Sequence, residues 1–350
     1  MPPLSEAVLT TLASGAERAD AVADWPAASW DALRQGGVLA WAVPKEHGGL
    51  GLQAAELLEG QAALGAACLT TAFALSQREA ALRTLLRFPD NPRAAGWPAR
   101  LVRGDGFVTV GLSQLTTSRQ HRGTPALLAT PTDKGYRLDG EAPWVTAADR
   151  ADALVLGANL ADGRQALFLV PTDMAGLSIG PPMPLAALVG SRTAAVRCDG
   201  VELPGDCLLA GPGEQVLGPS AGGGLETSAL AVGLGDAATR WLEEEAARRP
   251  GLDAVVAAFV GERSAVRRQM VGLATDACDR ETVLALRVRA TRFALRATQT
   301  ALVVAKGAGF VAPHPVQRWA RQALFFLVWS CPRPAAEGLL DDLMPPVGGD

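Results

Sequence analysis

The spacing of apolar residues changes character twice along this chain of 350 residues, and that change restricts the fold more than any single motif. Up to about residue 105 the apolar positions recur at helical intervals. Leu4–Ala23 reads as a helix with Ser5 as its N-cap. Ser29–Gly36 reads as a short second helix, with Ser29 as cap and Gly36 as stop. Gln53–Leu86 is rich in Ala and Leu and reads as two helices broken near Gly65–Ala67, with Asn91-Pro92 closing the region. From Gly106 the segments shorten and turn β-like: Phe107–Leu112, Ala126–Thr130, Tyr136–Leu138, Ala153–Leu156, Ala166–Val170, Leu177–Ile179 and Ala194–Arg197. Gly, Pro and Asp separate them, the pattern of a compact barrel or sandwich. From Leu225 the helical period returns, over Leu225–Glu245, Leu252–Leu273, Glu281–Val304 and Pro315–Val328, four helices of a bundle. The expected organisation is α+β: a helical domain (1–105), a central β-domain (106–217) and a helical bundle (218–350).

Within the middle part, Pro143–Gly157 (PWVTAADRADALVLG) draws the eye. Upstream, Gly135–Gly140 reads as a short strand ending in an Asp-Gly turn. Trp144 and Thr146 then flank a tight polar turn, and Ala151–Gly157 follows as a buried strand. On these residues alone the stretch is a β-hairpin with an aromatic at its tip. Gly48 and Gly49 permit a turn with positive φ.

The remaining composition mostly excludes. Hydrophobic residues make up 49% of the chain, enough for a large core, and the net charge is −4 with both signs interspersed. That leaves no basic stripe for nucleic acid. The five cysteines, Cys68, Cys198, Cys207, Cys278 and Cys331, are scattered without a CxxC pair, so free thiols in a reducing cytoplasm are expected, and no metal. His47, His121 and His314 are isolated. The first residues carry no secretory pattern, and no apolar run is long enough for a membrane span.

Four segments, in order and in register, carry a family resemblance. Val43–Leu52 (VPKEHGGLGL) resembles the Pro-Glu-x-Tyr-Gly-Gly-x-Gly signature of acyl-CoA dehydrogenases. Pro143–Thr146 is similar to their Lys-x-Trp-Ile-Thr segment. Gln165–Leu177 resembles their strand leading to a Pro-Gly-Leu turn, and Val201–Ala210 (VELPGDCLLA) their exit from the β-domain. The resemblance runs from about Trp25 to Arg321 and implies an acyl-CoA dehydrogenase-like fold: N-terminal helices, central β-barrel or sandwich, C-terminal four-helix bundle. It implies FAD as cofactor, acyl-CoA or a related acyl thioester as substrate and an electron-transfer flavoprotein as possible acceptor. It also implies a homodimer or homotetramer, for which the apolar run Ala323–Trp329 is a candidate surface.

The same resemblance nominates site residues. Leu112-Ser113 stands where the family has the Leu-Thr of a flavin-contacting segment, and Trp144, Val145 and Thr146 match a second one. Gly307-Ala308-Gly309-Phe310 resembles the family's Gly-x-Gly-Tyr turn, with Val303 in place of the preceding Gln. Most of the family takes its base from a Tyr-Glu-Gly-Thr segment, which aligns with Trp329–Pro332 and puts Ser330 at the glutamate. A minority takes it from the start of the bundle's first helix, seven residues before a glycine. Glu226 holds that spacing to Gly233 within Gly222–Gly233 (GGGLETSALAVG). Chemistry of this kind asks for a carboxylate in an apolar pocket, because the α-proton of a thioester is only weakly acidic. A Glu in the first turn of a helix is also favoured by the helix dipole alone. Gln114-Leu115 and Thr116–Gln120 depart from the family pattern, and its Arg-x-x-Phe-Gly segment has no counterpart in Arg248–Phe259. Three functions remain open: an FAD-dependent dehydrogenase, a catalytically impaired scaffold or partner, and a flavin-dependent monooxygenase-type relative.

Overall fold

The computed structural model describes residues 4–116, 125–218, 224–275 and 279–344. His121, Cys278, Gly222, Gly223 and all of Thr116–Gln120 beyond Thr116 lie outside the described residues. The N-terminal helices are α1 (Glu6–Ala21), α2 (Ala27–Gln35), α3 (Ala54–Ala67), α4 (Leu69–Leu86) and α5 (Trp97–Arg103). Ser5 caps α1, its hydroxyl accepting from the Val8 N–H. Ser29 is not a cap: α2 starts two residues earlier behind Pro26, and Ser29 is buried inside it. Gly36 does end the helix. The α3–α4 break falls at Cys68, in extended conformation, one residue beyond the expected glycine-alanine stretch. Gly48 has φ +84°, and at Gly49 a side chain would meet the backbone of Val43. Both glycines are therefore required by the turn itself. Helix α5 was not expected; Pro98 in its first turn and Gly104 at φ +73° delimit it.

The middle of the chain forms one eight-stranded sheet: β1 (Val108–Gly111), β2 (Leu127–Thr132), β3 (Gly135–Val145), β4 (Ala153–Asn159), β5 (Gln165–Pro171), β6 (Leu177–Ile179), β7 (Ala194–Pro204) and β8 (Leu208–Gly213). The order is β6-β7-β3-β2-β4-β5-β8, with β1 joined to β4. A single residue pair, Leu128 with Asn159, links β2 to β4. There the sheet folds on itself, and Leu138, Ala142 and Val145 from one half share a core with Leu154, Leu156 and Phe168 from the other. Strand β4 is buried on both faces. Its alternate residues Ala153 and Val155 pack with Leu82 and Leu85 of α4, which seats the sheet on the N-terminal helices.

The hairpin expected at Pro143–Gly157 does not form. Strand β3 pairs with β2 and β7, and β4 with β5, β1 and β2. Asp139-Gly140 is no turn: β3 runs straight through it, with a register shift against β7 and Gly140 at φ +120°. Both a turn and a bulge select a residue that tolerates positive φ, and pairing with two neighbours decided for the bulge.

The bundle consists of α6 (Leu225–Ala246), α7 (Asp253–Thr275), α8 (Arg280–Ala305), α9 (Pro315–Phe325) and an additional α10 (Arg333–Leu343). Helix α6 lies against α3 at near backbone contact, Gly233 on Ala62 and Gly65 on Leu230. One carboxylate latches all three parts of the chain. Asp20 of α1 is fully buried and accepts from the Leu188 N–H at 2.9 Å and the Gln322 amide at 2.8 Å. Arg321 stands 2.8 Å from its other oxygen.

Candidate flavin and substrate site

The end of β1 and the end of β3 make one wall. A methyl group at Gly111 would stand 2.9 Å from Val145 and 2.8 Å from Leu156, so the glycine lets β1 close onto both strands. The chain then turns through a single 3-10 turn, Ser113–Leu115. The Gln114 amide fixes this turn by donating to the carbonyls of Gly111 at 2.8 Å and Gly157 at 2.6 Å, while Leu112 packs near Gly157. The Ser113 hydroxyl is thereby held buried, with no hydrogen-bond partner among the described residues. Such an atom is costly unless a ligand satisfies it. On β3 the Trp144 indole is 50% exposed, Val145 points into the core, and Thr146 is buried with its hydroxyl 3.1 Å from that of Thr193. Thr193 in turn lies 2.9 Å from Ser191. Thr146 therefore secures the end of β3, and Trp144 is the side chain free to meet a ligand. A half-exposed indole and an unsatisfied buried hydroxyl are groups suited to the edge of a planar, polar-rimmed cofactor.

Glu226 lies in the first turn of α6, 28% exposed, and faces α4, where Arg83 stands 3.2 Å from its carboxylate. Its partner among the described residues is thus a guanidinium, where a base was expected to have apolar surroundings. Helix α4 is buried nearly all round, yet carries three charges. Arg78 donates to the Leu101 carbonyl at 2.5 Å and the Leu39 carbonyl at 3.4 Å; burial lowers its pKa to about 10. Glu79 accepts from Gln61 of α3 at 2.6 Å. Burial pushes the Glu79 carboxyl above the usual range, against the opposing pull of Arg83, Arg78 and Gln61. Gln61, Glu79, Arg83 and Glu226 thus form a polar cluster between α3, α4 and α6. None but Glu226 was singled out from sequence. The available signal was a pair of charges, Arg78-Glu79, inside an otherwise apolar helix.

The other possible base position is filled differently. Trp329 stacks on Phe325, centroids 5.2 Å apart at 12°, and meets Phe73 of α4 edge-on at 4.8 Å. The buried Arg287 of α8 donates to the carbonyls of Trp329 at 2.8 Å and Phe326 at 3.1 Å. It also reaches the Thr227 carbonyl of α6 at 3.5 Å, and burial lowers its pKa to about 10. Ser330 follows at φ +48°, in a segment fixed by aromatic packing and one guanidinium. The two base positions lean on α4 ten residues apart, at Phe73 and Arg83, roughly 15 Å along the helix at 1.5 Å per residue.

Gly307 and Gly309 lie in the 3-10 turn Lys306–Phe310 that ends α8. Gly309 packs on Leu302 and Val316, so in one copy of the chain the turn stands on the bundle and not on the Ser113–Trp144 wall. Among the described residues no group of three or more His, Cys, Asp or Glu could hold a metal ion, and no helix is long and apolar enough to cross a membrane.

Helices precede and follow a folded sheet, and one wall of that sheet carries a half-exposed indole and an unsatisfied buried hydroxyl. Comparison with known proteins gives the family. Residues 4–105 match the family model for the acyl-CoA dehydrogenase N-terminal domain. A probable acyl-CoA dehydrogenase of Bacillus subtilis, YngJ, is 25% identical over 336 residues, 89% of this chain and 88% of that protein. Butyryl-CoA dehydrogenase from Megasphaera elsdenii shares the fold with a TM-score of 0.83 at 18% identity, over 98% of this chain and 99% of that one. Dibenzothiophene monooxygenase from Paenibacillus sp. A11-2 also shares it, with a TM-score of 0.76 at 20% identity, over 91% and 90% of the two chains. Residues 4–105 carry the acyl-CoA dehydrogenase N-terminal domain, and the rest of the chain is similar to acyl-CoA dehydrogenases in sequence and fold.

Proposed function

We propose that the chain is an FAD-dependent oxidoreductase that introduces a double bond between Cα and Cβ of an acyl thioester, with Glu226 taking the α-proton. The observation that carries this reading is the position of Glu226, half-buried at the start of α6 where it faces α4, while the alternative position holds Ser330, a hydroxyl and not a carboxylate. The Ser113 hydroxyl would bond to the cofactor's polar edge, Trp144 would cover its ring, and Thr146 with Thr193 would hold β3 in place. A bound flavin supplies the acceptor for the Cβ hydride, with an electron-transfer flavoprotein as the partner that removes the electrons. Arg83 stands 3.2 Å from the Glu226 carboxylate, so proton abstraction requires the guanidinium to turn away from it. Glu226→Gln should lower the rate of flavin reduction by acyl-CoA about a hundredfold and leave FAD binding unchanged. Reduction as fast as in the wild type would remove Glu226 from the chemistry.

The Arg83–Glu226 pair also favours a second reading, a monooxygenase-type relative in which reduced flavin meets oxygen and no α-proton is removed. In that case Glu226→Gln would leave oxygen uptake by the reduced enzyme unaltered.

A further inference from the structure

We propose that the groove between α3, α6 and α7 binds a diphosphate anion, free or as part of a nucleotide, and that the bound anion ties α7 to the rest of the bundle. The inference does not depend on the reaction the chain catalyses. No residue of the groove belongs to the Ser113–Trp144 wall or to the polar cluster around Glu226. Arg240, which lines the groove, lies four helical turns beyond Glu226 on α6, roughly 21 Å at 1.5 Å per residue.

The groove exists because two helices touch and the third stands off. Helices α3 and α6 meet at near backbone contact, Gly233 on Ala62. Ala62, Ala63 and Val232 make a floor of small apolar side chains there. Helix α7 does not close onto this floor: of its 23 residues, Val266 and Met270 are the buried ones. A cavity of about 610 Å³ remains between the three helices, a volume within the range of small-molecule sites.

Its walls are cationic. Arg240 of α6 and Arg263, Arg267 and Arg268 of α7 line it, against one carboxylate, Asp236. Two further carboxylates bond these arginines: Glu243, which Arg263 holds at 2.9 and 3.2 Å, and Glu59 of α3, which accepts from Arg267. Four guanidiniums against three carboxylates leave one positive charge in excess, on a chain whose net charge is −4.

The donors of these arginines are unevenly spent. Arg263 is the brace: besides Glu243 it holds Asp236 at 3.2 Å, and its side chain is 19% exposed. Arg240 gives one terminal nitrogen to Asp236 at 2.7 Å, and Arg267 gives one to Glu59. Arg268 makes no hydrogen bond or ion pair among the described residues. Each guanidinium carries five N–H donors, so three of the four bring open donors to one cavity from two helices. A carboxylate fills a single fork. A diphosphate presents oxygens on two phosphorus atoms and several negative charges, so it can take forks from α6 and α7 together. Exposed ion pairs by themselves stabilise little, and an anion bridging both helices supplies the attachment that the thin packing of α7 lacks.

Isothermal titration of the full chain with inorganic pyrophosphate, at neutral pH and low salt without divalent ions, tests the site, with citrate as a polyanionic carboxylate control. Pyrophosphate should bind about fivefold or more tighter than citrate. Arg240→Gln and Arg268→Gln should each weaken it about fivefold or more, the loss of a charge-assisted contact. Arg333→Gln, which removes a charge from a side chain that is 90% exposed on α10, should leave it unchanged. Arg268 is exposed and makes no bond, so its variant should melt like the wild type. Hydrogen exchange should slow in α7 on binding and not in α9. ADP in place of pyrophosphate separates the two sources: tighter binding assigns the groove to a nucleotide, weaker binding to the free anion, and either supports the site. No binding at millimolar pyrophosphate, equal affinity for citrate, or an affinity that falls no further in Arg240→Gln and Arg268→Gln than in Arg333→Gln overturns the inference. None of these results touches the dehydrogenase reading.

Discussion

Gly233→Ala tests how α6 is held against α3. In an exposed helix interior a Gly→Ala change stabilises by about 1 kcal/mol. At Gly233 the new methyl group would overlap the Ala62 carbonyl oxygen and stand 2.9 Å from its carbon and 3.1 Å from its Cα. Ordinary contact begins near 3.4 Å and the oxygen is the nearest atom, so α3 must withdraw by roughly 1 Å or more. The obstacle is backbone, which cannot rotate aside as a side chain does. Overpacking costs about 1–3 kcal/mol, and a backbone clash belongs at the upper end. Offset by the propensity gain, the net loss is about 2 kcal/mol, a fall of several degrees in melting temperature. Gly261→Ala on α7 is the control: nothing lies within 4 Å of its new methyl, and it should gain about 1 kcal/mol. Both are read by thermal and urea unfolding followed by circular dichroism. If Gly233→Ala gains stability like Gly261→Ala, the close approach of α6 to α3 is wrong, and so is the placement of Gln61 beside the Glu226 cluster.

Trp144→Ala should lower FAD occupancy severalfold with little change in melting temperature, because half of the indole already lies outside the core; equal loss of flavin and fold would make Trp144 a packing residue. Glu79→Gln keeps a hydrogen-bonding partner for Gln61 and removes a buried ionisable group. The folded-state pKa of Glu79 is raised above 4.5, so the wild type loses stability as pH rises through that raised value, whereas in acid the carboxyl is neutral folded or unfolded. The variant should therefore match the wild type near pH 4 and surpass it increasingly toward pH 8, and a variant that loses ground at pH 8 would refute this. Val303, Phe310 and Val328 of the bundle are 68%, 78% and 76% exposed, apolar area that favours a homo-oligomer. Light scattering should show a dimer or larger that Phe310→Ser weakens, and a wild-type monomer at micromolar concentration would count against it.

The order helices, strands, helices was legible because period is a local property of sequence. The errors arose where local signals are shared by different structures. Asp139-Gly140 suits a turn and a bulge equally, and only the pairing of β3 with β7 distinguishes them. Ser29 has the chemistry of a cap but lies inside α2. Helix α10 follows a proline-rich stretch and is anchored by Leu339 and Ala335 on Val288, a contact no local pattern announces. The candidate role of the wall was visible only through resemblance, because nothing in the composition marks Trp144 and Ser113 as ligand contacts. Arg83 was missed because its meaning lies in its distance to Glu226 on another helix. The apolar run Ala323–Trp329 proved mixed, with Ala323 and Phe326 buried and Leu324 and Val328 exposed, because a helix shows its residues to both core and surface.

The Asp20 latch sets a waiting time. Its partners Leu188 and Gln322 follow it by 168 and 302 residues. During synthesis at about 5–20 residues per second, Gln322 leaves the ribosome roughly 15–60 s after Asp20. Until then α1 has a carboxylate that cannot be buried without loss, since an unpaired charge resists leaving water. The first helix made is thus among the last to be locked. The exposed apolar side of α1 during that interval is where a holding chaperone would act on the growing chain.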